Sequence, residues 1–151
     1  MAFPVQLLRC RCRCDRGRPV IGLDTNVVVR FLVHDNPGQS AVASALIDEL
    51  TETDPGYLSV VTVVEIYWVL RRAYKVGAAR CAELLEGLLE GRELRVGQDV
   101  IVRAALVANR GGLDFADAVI AELGHAAGCL DTVTLDGKAA RHGAMKLLSH
   151  G

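Results

Sequence analysis

An α/β fold, with a central and mostly parallel β-sheet flanked by helices in a single domain, is what this sequence predicts on three observations. Short apolar runs suited to buried strands alternate with longer stretches of helical periodicity, the pattern of a parallel sheet covered on both faces. A length of 151 residues suits one domain with a substantial core. Hydrophobic residues at 51% and charged residues at 23% describe a compact chain and exclude disorder.

The elements follow in order. VIGL at 20–23 is an apolar run suited to a buried strand, with Pro19 before it and Asp24 at its end. TNVVVRFL at 25–32 is expected to begin a short helix, tertiary packing overruling the weak propensity of its β-branched residues. Pro37 and Gly38 then punctuate the chain. SAVASALIDELTE at 40–52 reads as an amphipathic helix, closed by Asp54 to Gly56. YLSVV at 57–61 is the second strand, and Thr62 is expected to cap a helix whose N3 residue is Glu65, a capping box. That helix continues through IYWVLRRAY and ends near Gly77. Residues 78–90 form a further helix with Leu84, Leu85, Leu88 and Leu89 inward, ELRV at 93–96 a third strand, and Asp99 to Asn109 the next helix. Gly111 and Gly112 break it before LDFADAVIAELGHAAG, and CLDTVTL at 129–135 and AMKLL at 144–148 supply the last two strands.

Charge divides the chain near Gly17 to Pro19. Residues 1–18 hold five Arg and one Asp, leaving twelve Lys plus Arg and seventeen Asp plus Glu beyond them, a formal −5 for the body. We therefore separate an Arg/Cys-rich tail at 1–18, expected to be peripheral and inessential, from a domain at 19–151. A broad cationic nucleic-acid surface is not expected on such a body. Any polyanion must be met by a local groove or through bound cations. Cys10, Cys12 and Cys14 are spaced too tightly for common structural zinc, while Cys81 and Cys129 are expected to be buried small hydrophobes. The odd cysteine count fits a reducing cytoplasm, and no apolar run approaches a membrane span.

Five acids carry the chemistry. Asp24, Glu65, Asp114, Asp117 and Asp136 fall at predicted strand ends or helix starts, where an α/β sheet gathers its ligands. Each also has an ordinary explanation as an Asx turn, a cap or a helix-dipole partner. Asp114 and Asp117, three apart, share a helix face and repel, a cost that a bridging cation removes. Hard carboxylate oxygens without converging thiolates or imidazoles point to Mg²⁺, with Mn²⁺ as the alternative, in one or two ions, and to metal-assisted phosphodiester chemistry. His34, His125, His142 and His150 are scattered, and neither a glycine-rich phosphate loop nor a Walker lysine is present.

Four segments, IGLDTNVVVRFL at 21–32, SVVTVVEIYWVL at 59–70, GLDFADAVIAELGHAAGC at 112–129 and TVTLDGKAARHGAMKLL at 132–148, in this order and spacing, resemble a PIN-domain ribonuclease. More narrowly, they resemble the VapC-like toxin of type II VapBC toxin-antitoxin systems, and the resemblance covers about residues 20–150. It implies a single PIN-like nuclease domain that cleaves RNA endonucleolytically with metal-activated water. Asp24, Glu65, Asp117 and Asp136 are then the catalytic, metal-binding acids, and Asp114 a supporting or water-mediated ligand. Thr25 and Asn26 shape the first-acid turn, Ser59 and Thr62 hold the Glu65 segment, and Arg30 contacts phosphate or a partner. The same resemblance implies a growth-inhibiting toxin neutralised by a VapB-like antitoxin, a homodimer, a toxin-antitoxin hetero-oligomer, and promoter DNA reached only through the antitoxin. Tyr67, Trp68, Leu70 and Tyr74 are candidates for the antitoxin groove or dimer surface. An antitoxin-independent RNA-processing nuclease and a noncatalytic PIN-like interaction subunit are the alternatives.

Overall fold

The computed structural model describes residues 12–14 and 18–148. Its main sheet has four strands in spatial order β1 (Cys12–Cys14), β2 (Arg18–Gly22), β3 (Gly56–Leu58) and β4 (Leu94–Val96). β1 pairs antiparallel with β2, placing Cys12 opposite Val20, whereas β2, β3 and β4 run parallel. The tail separated by charge thus contributes a short edge strand. Its other residues, through Gly17, lie outside the described residues.

Among the described residues the chain forms seven helices: α1 (Thr25–Val33), α2 (Pro37–Asp48), α3 (Val60–Arg72), α4 (Ala78–Glu90), α5 (Asp99–Arg110), α6 (Phe115–Ala126) and α7 (Gly137–Arg141). A second, two-stranded parallel sheet is made by β5 (Val133–Thr134) and β6 (Lys146–Leu147). The α/β architecture expected from alternating periodicities is what the chain adopts.

Packing explains the register. Gly56 pairs with Ile21 on one side and Leu94 on the other, at the centre of the sheet. A Cβ there would stand 2.7 Å from Leu23 Cδ1 and 2.9 Å from Leu50 Cδ1, so only glycine lets these leucines close over the strand. Leu58, Ile66, Leu70, Leu85, Val102 and Phe115 are fully buried and tie β3 to α3, α4, α5 and α6 in one core.

Several boundaries differ from expectation, each for a local reason. Pro37 does not precede α2; it occupies the first turn, where its missing N–H costs nothing, behind Asn36 as N-cap. β3 ends at Leu58, so the second strand is shorter than YLSVV, and Ser59 takes the cap expected of Thr62. The Ser59 hydroxyl accepts from the Thr62 backbone N–H at 3.0 Å. Glu65 consequently lies a turn deeper in α3, and the expected capping box is not formed. CLDTVTL pairs only over Val133–Thr134, because α6 ends at Ala126 and Gly128 turns the chain at φ 83° before the strand begins. Cys129 falls in that connection and is exposed, contrary to the expected burial, whereas Cys81 is buried in α4 as expected. Among the described residues, no helix is long and apolar enough to cross a membrane.

Candidate functional site

Asp24 stands where β2 turns into α1. The Leu23 N–H still donates to the Tyr57 carbonyl at 2.9 Å, so the chain follows β3 up to the cap. Asp24 then caps α1, its Oδ2 accepting from the Asn26 N–H at 3.3 Å and from the Asn26 side chain at 3.4 Å. The next residue, Thr25, is buried, and its hydroxyl donates to Glu65 Oε2 across a separation of 40 residues. One short hydrogen bond therefore fixes the second acid beside the turn that carries the first.

Asp114 caps α6 in the same manner, its Oδ1 accepting from the Ala116 N–H at 2.9 Å. The turn before it depends on Gly112, whose φ of 101° disfavours other residues. A Cβ at Gly112 would also meet His142 Cε1 at 3.1 Å. The imidazole thus packs on the α5–α6 turn, coupling it to the end of α7. Asp136 caps α7 through an Oδ1 contact of 2.7 Å with the Lys138 N–H, and its own N–H donates to Thr134 Oγ1 at 2.9 Å.

Asp117 is different. It lies in the first turn of α6, where the helix dipole favours negative charge. Burial, then the charges of Asp114 and of Asp136, nevertheless push its carboxyl above the usual aspartate range. Desolvation and two like charges outweigh the dipole. α6 and α7 thus present three carboxylates sharing one field.

The two groups of acids are joined through the core. Tyr67, two residues after Glu65, packs its ring 4.8 Å from that of Phe115, the residue after Asp114. Its hydroxyl donates to Asn109 Oδ1 at 3.2 Å, and the Asn109 amide donates to the Leu113 carbonyl at 2.7 Å, bracing the turn into α6. Neither Asn109 nor His142 stood out in the sequence. An amide ending an apolar helix just before two glycines is the signal that marks Asn109; nothing local marks His142.

Hard oxygens and mutual repulsion suit a divalent cation in chemical kind. In position they do not converge: among the described residues, no group of three or more His, Cys, Asp or Glu stands in metal-holding geometry. The two observations are compatible, because charges interact over longer distances than a ligand bond spans. Three of the five acids also spend an oxygen on their own helix caps.

Arg30 is engaged elsewhere. Its guanidinium donates to both Asp35 carboxylate oxygens and to the Tyr74 hydroxyl at 2.8 Å, and to Gln39 Oε1 at 2.7 Å. The Tyr74 hydroxyl, with help from Arg30, holds the Asp35 carboxyl below its ordinary value. Of the four residues considered for a partner groove, Tyr67 and Leu70 are buried and Tyr74 belongs to this cluster. Trp68 alone is well exposed, at 57%, with the Arg72 guanidinium 5.9 Å over its ring.

Residues 21–144 match the PIN domain, a span that runs from the end of β2 through α7 and takes in all five acids. The chain belongs to the PIN-domain family. Members of this family are often nucleolytic and often use divalent metals. Comparison with curated proteins finds no match. In this PIN domain the five acids lie at the starts of α1, α6 and α7 and in α3; one tertiary hydrogen bond sets Glu65 beside the turn of Asp24, and Asp114, Asp117 and Asp136 share a second field.

Proposed function

We propose that this PIN domain is a Mg²⁺- or Mn²⁺-dependent endoribonuclease, and that it acts as a VapC-like toxin neutralised by a small cognate antitoxin. The observation that carries the nuclease reading is Asp117, a carboxylate raised by partial burial and then by the charges of Asp114 and Asp136, within a family that is often nucleolytic. The toxin reading rests on the order of the four motif segments.

In this reading Asp24, Glu65, Asp117 and Asp136 hold the cation, and Asp114 acts through its cap or a water. When bound, a hard divalent cation supplies positive charge against the scissile phosphate and acidifies a water. Thr25 orients Glu65 by donating to one oxygen, leaving the other free. Asn26 steadies the Asp24 carboxylate, and Ser59 with Thr62 starts α3 at a fixed place. Arg30 contributes by locking α1 to Asp35 and Tyr74. The cap duties of Asp24, Asp114 and Asp136 favour one competing reading, a noncatalytic interaction subunit.

The decisive experiment measures RNA cleavage by purified protein with and without Mg²⁺ or Mn²⁺, beside Asp24→Asn. Cleavage should require the metal and fall on the order of 100-fold or more in the variant. Equal cleavage by a folded variant sinks the site, and no cleavage by the wild type favours the interaction subunit. Expression should arrest bacterial growth, with relief by Asp24→Asn.

A further inference from the structure

The acidic body must still meet a polyanion, and the distribution of its cations is informative. Twelve Lys and Arg lie between Val20 and Leu148. Five are held in ion pairs, Arg71 donates to the Val76 carbonyl, and Arg72 covers Trp68. Among the described residues, Lys75, Arg92, Arg95, Lys138 and Arg141 remain without such a partner.

Lys75, Arg92 and Arg95 are scattered over the end of α3, the α4–β4 turn and β4. Lys138 and Arg141 instead share one helix, three residues apart, on a common face. Both are exposed, and Asp136 caps that helix through the Lys138 N–H. His142, next to Arg141, packs on Gly112 and so ties this helix to the turn that places Asp114. The two free cations therefore stand on the helix capped by Asp136, one of the two carboxylates that share a field with Asp117.

We infer that Lys138 and Arg141 are the phosphate anchors of this PIN domain, gripping the sugar-phosphate backbone of an RNA strand as it enters the acids. The inference rests on the nuclease reading and adds where the strand is held. Cβ atoms one turn apart are separated by about 5–6 Å, so the two long side chains can reach neighbouring phosphates of one strand. Contacts of this kind fix position without reading bases.

The test uses the full chain carrying Asp24→Asn, without divalent metal, and follows binding of a fluorescein-labelled single-stranded RNA by anisotropy across a salt series. Single-strand contacts contribute about 0.7 each to the slope of log affinity against log salt. K138A/R141A should lower that slope by about 1.4 and weaken all RNA sequences alike. K75A/R92A, which removes the same charge, should leave it unchanged. Circular dichroism confirms folding of both pairs.

Purely structural roles for both Lys138 and Arg141 would leave the slope unmoved. Equal losses in both pairs overturn the anchor in favour of diffuse charge. An unchanged slope in K138A/R141A, with metal-dependent cleavage by the native chain, overturns the anchor and spares the nuclease. A native chain that neither binds nor cleaves RNA removes both.

Discussion

Glu65, in the second turn of α3, and Asp117, in the first turn of α6, are held in opposite ways. Glu65 receives the hydroxyl of a buried threonine from another helix. Among the described residues Asp117 receives no such donor; burial and two neighbouring carboxylates act against its charge. The α1–α3 side of the site is thus organised by attraction before any ligand arrives. The α6–α7 side stores repulsion that a cation can release. The cation proposed for this domain should accordingly stiffen the second side more than the first.

The largest way to break this comparison is to separate the two sides. Phe115→Ala removes a fully buried ring stacked on Tyr67 and should cost about 3–5 kcal/mol, read from the denaturant midpoint. Both sides should loosen together. A loss below 1 kcal/mol, well short of that range, would mean that they are not joined there.

Thr25→Val tests the attractive side alone. It keeps the shape of the buried residue but strips Glu65 of its donor, and about 1.5–3 kcal/mol of stability should disappear, since the acceptor is charged. The proposed metal-dependent activity should fall while the Asp117 carboxyl stays raised. Stability unchanged within error would show that the hydroxyl is dispensable.

Asp117→Asn tests the repulsive side and should have the smallest effect, with the opposite sign. Because the folded carboxyl is raised, the wild type is penalised at neutral pH, and the penalty fades as pH falls through the raised folded pKa and is gone below the unfolded value of about 3.9. The variant should gain about 0.5 kcal/mol at pH 7, the scale of a like-charge pair one turn apart, and lose the advantage in acid. A gain that persists in acid would point to packing instead of charge.

The sequence exposed much of this scaffold. VIGL and ELRV were readable as strands because buried parallel strands are continuous apolar runs. The Asp114–Asp117 repulsion followed from helical spacing alone. Asp136 joining that field did not, since it comes from α7 by tertiary packing. Ser59 and Thr62 are both good caps, and only the end of β3 at Leu58 decides between them. The Thr25–Glu65 hydrogen bond spans 40 residues and left no local trace. Cys129 misled because CLDTVTL has a strand's composition, while its partner β6 is only two residues long.

The small sheet of β5 and β6 has a consequence for timing. It shares no ladder with the main sheet among the described residues, and between Leu130 and Leu148 only Ala139 and Met145 are buried. Two strands with so little core are marginal by themselves, so this unit should open far below the free energy of global unfolding. Backbone amides from Val133 onward should exchange with deuterium earliest among the paired strands. Each opening carries Asp136 away from Asp117, making the charge around that part-buried carboxylate a quantity that fluctuates at the rate of a local breathing motion.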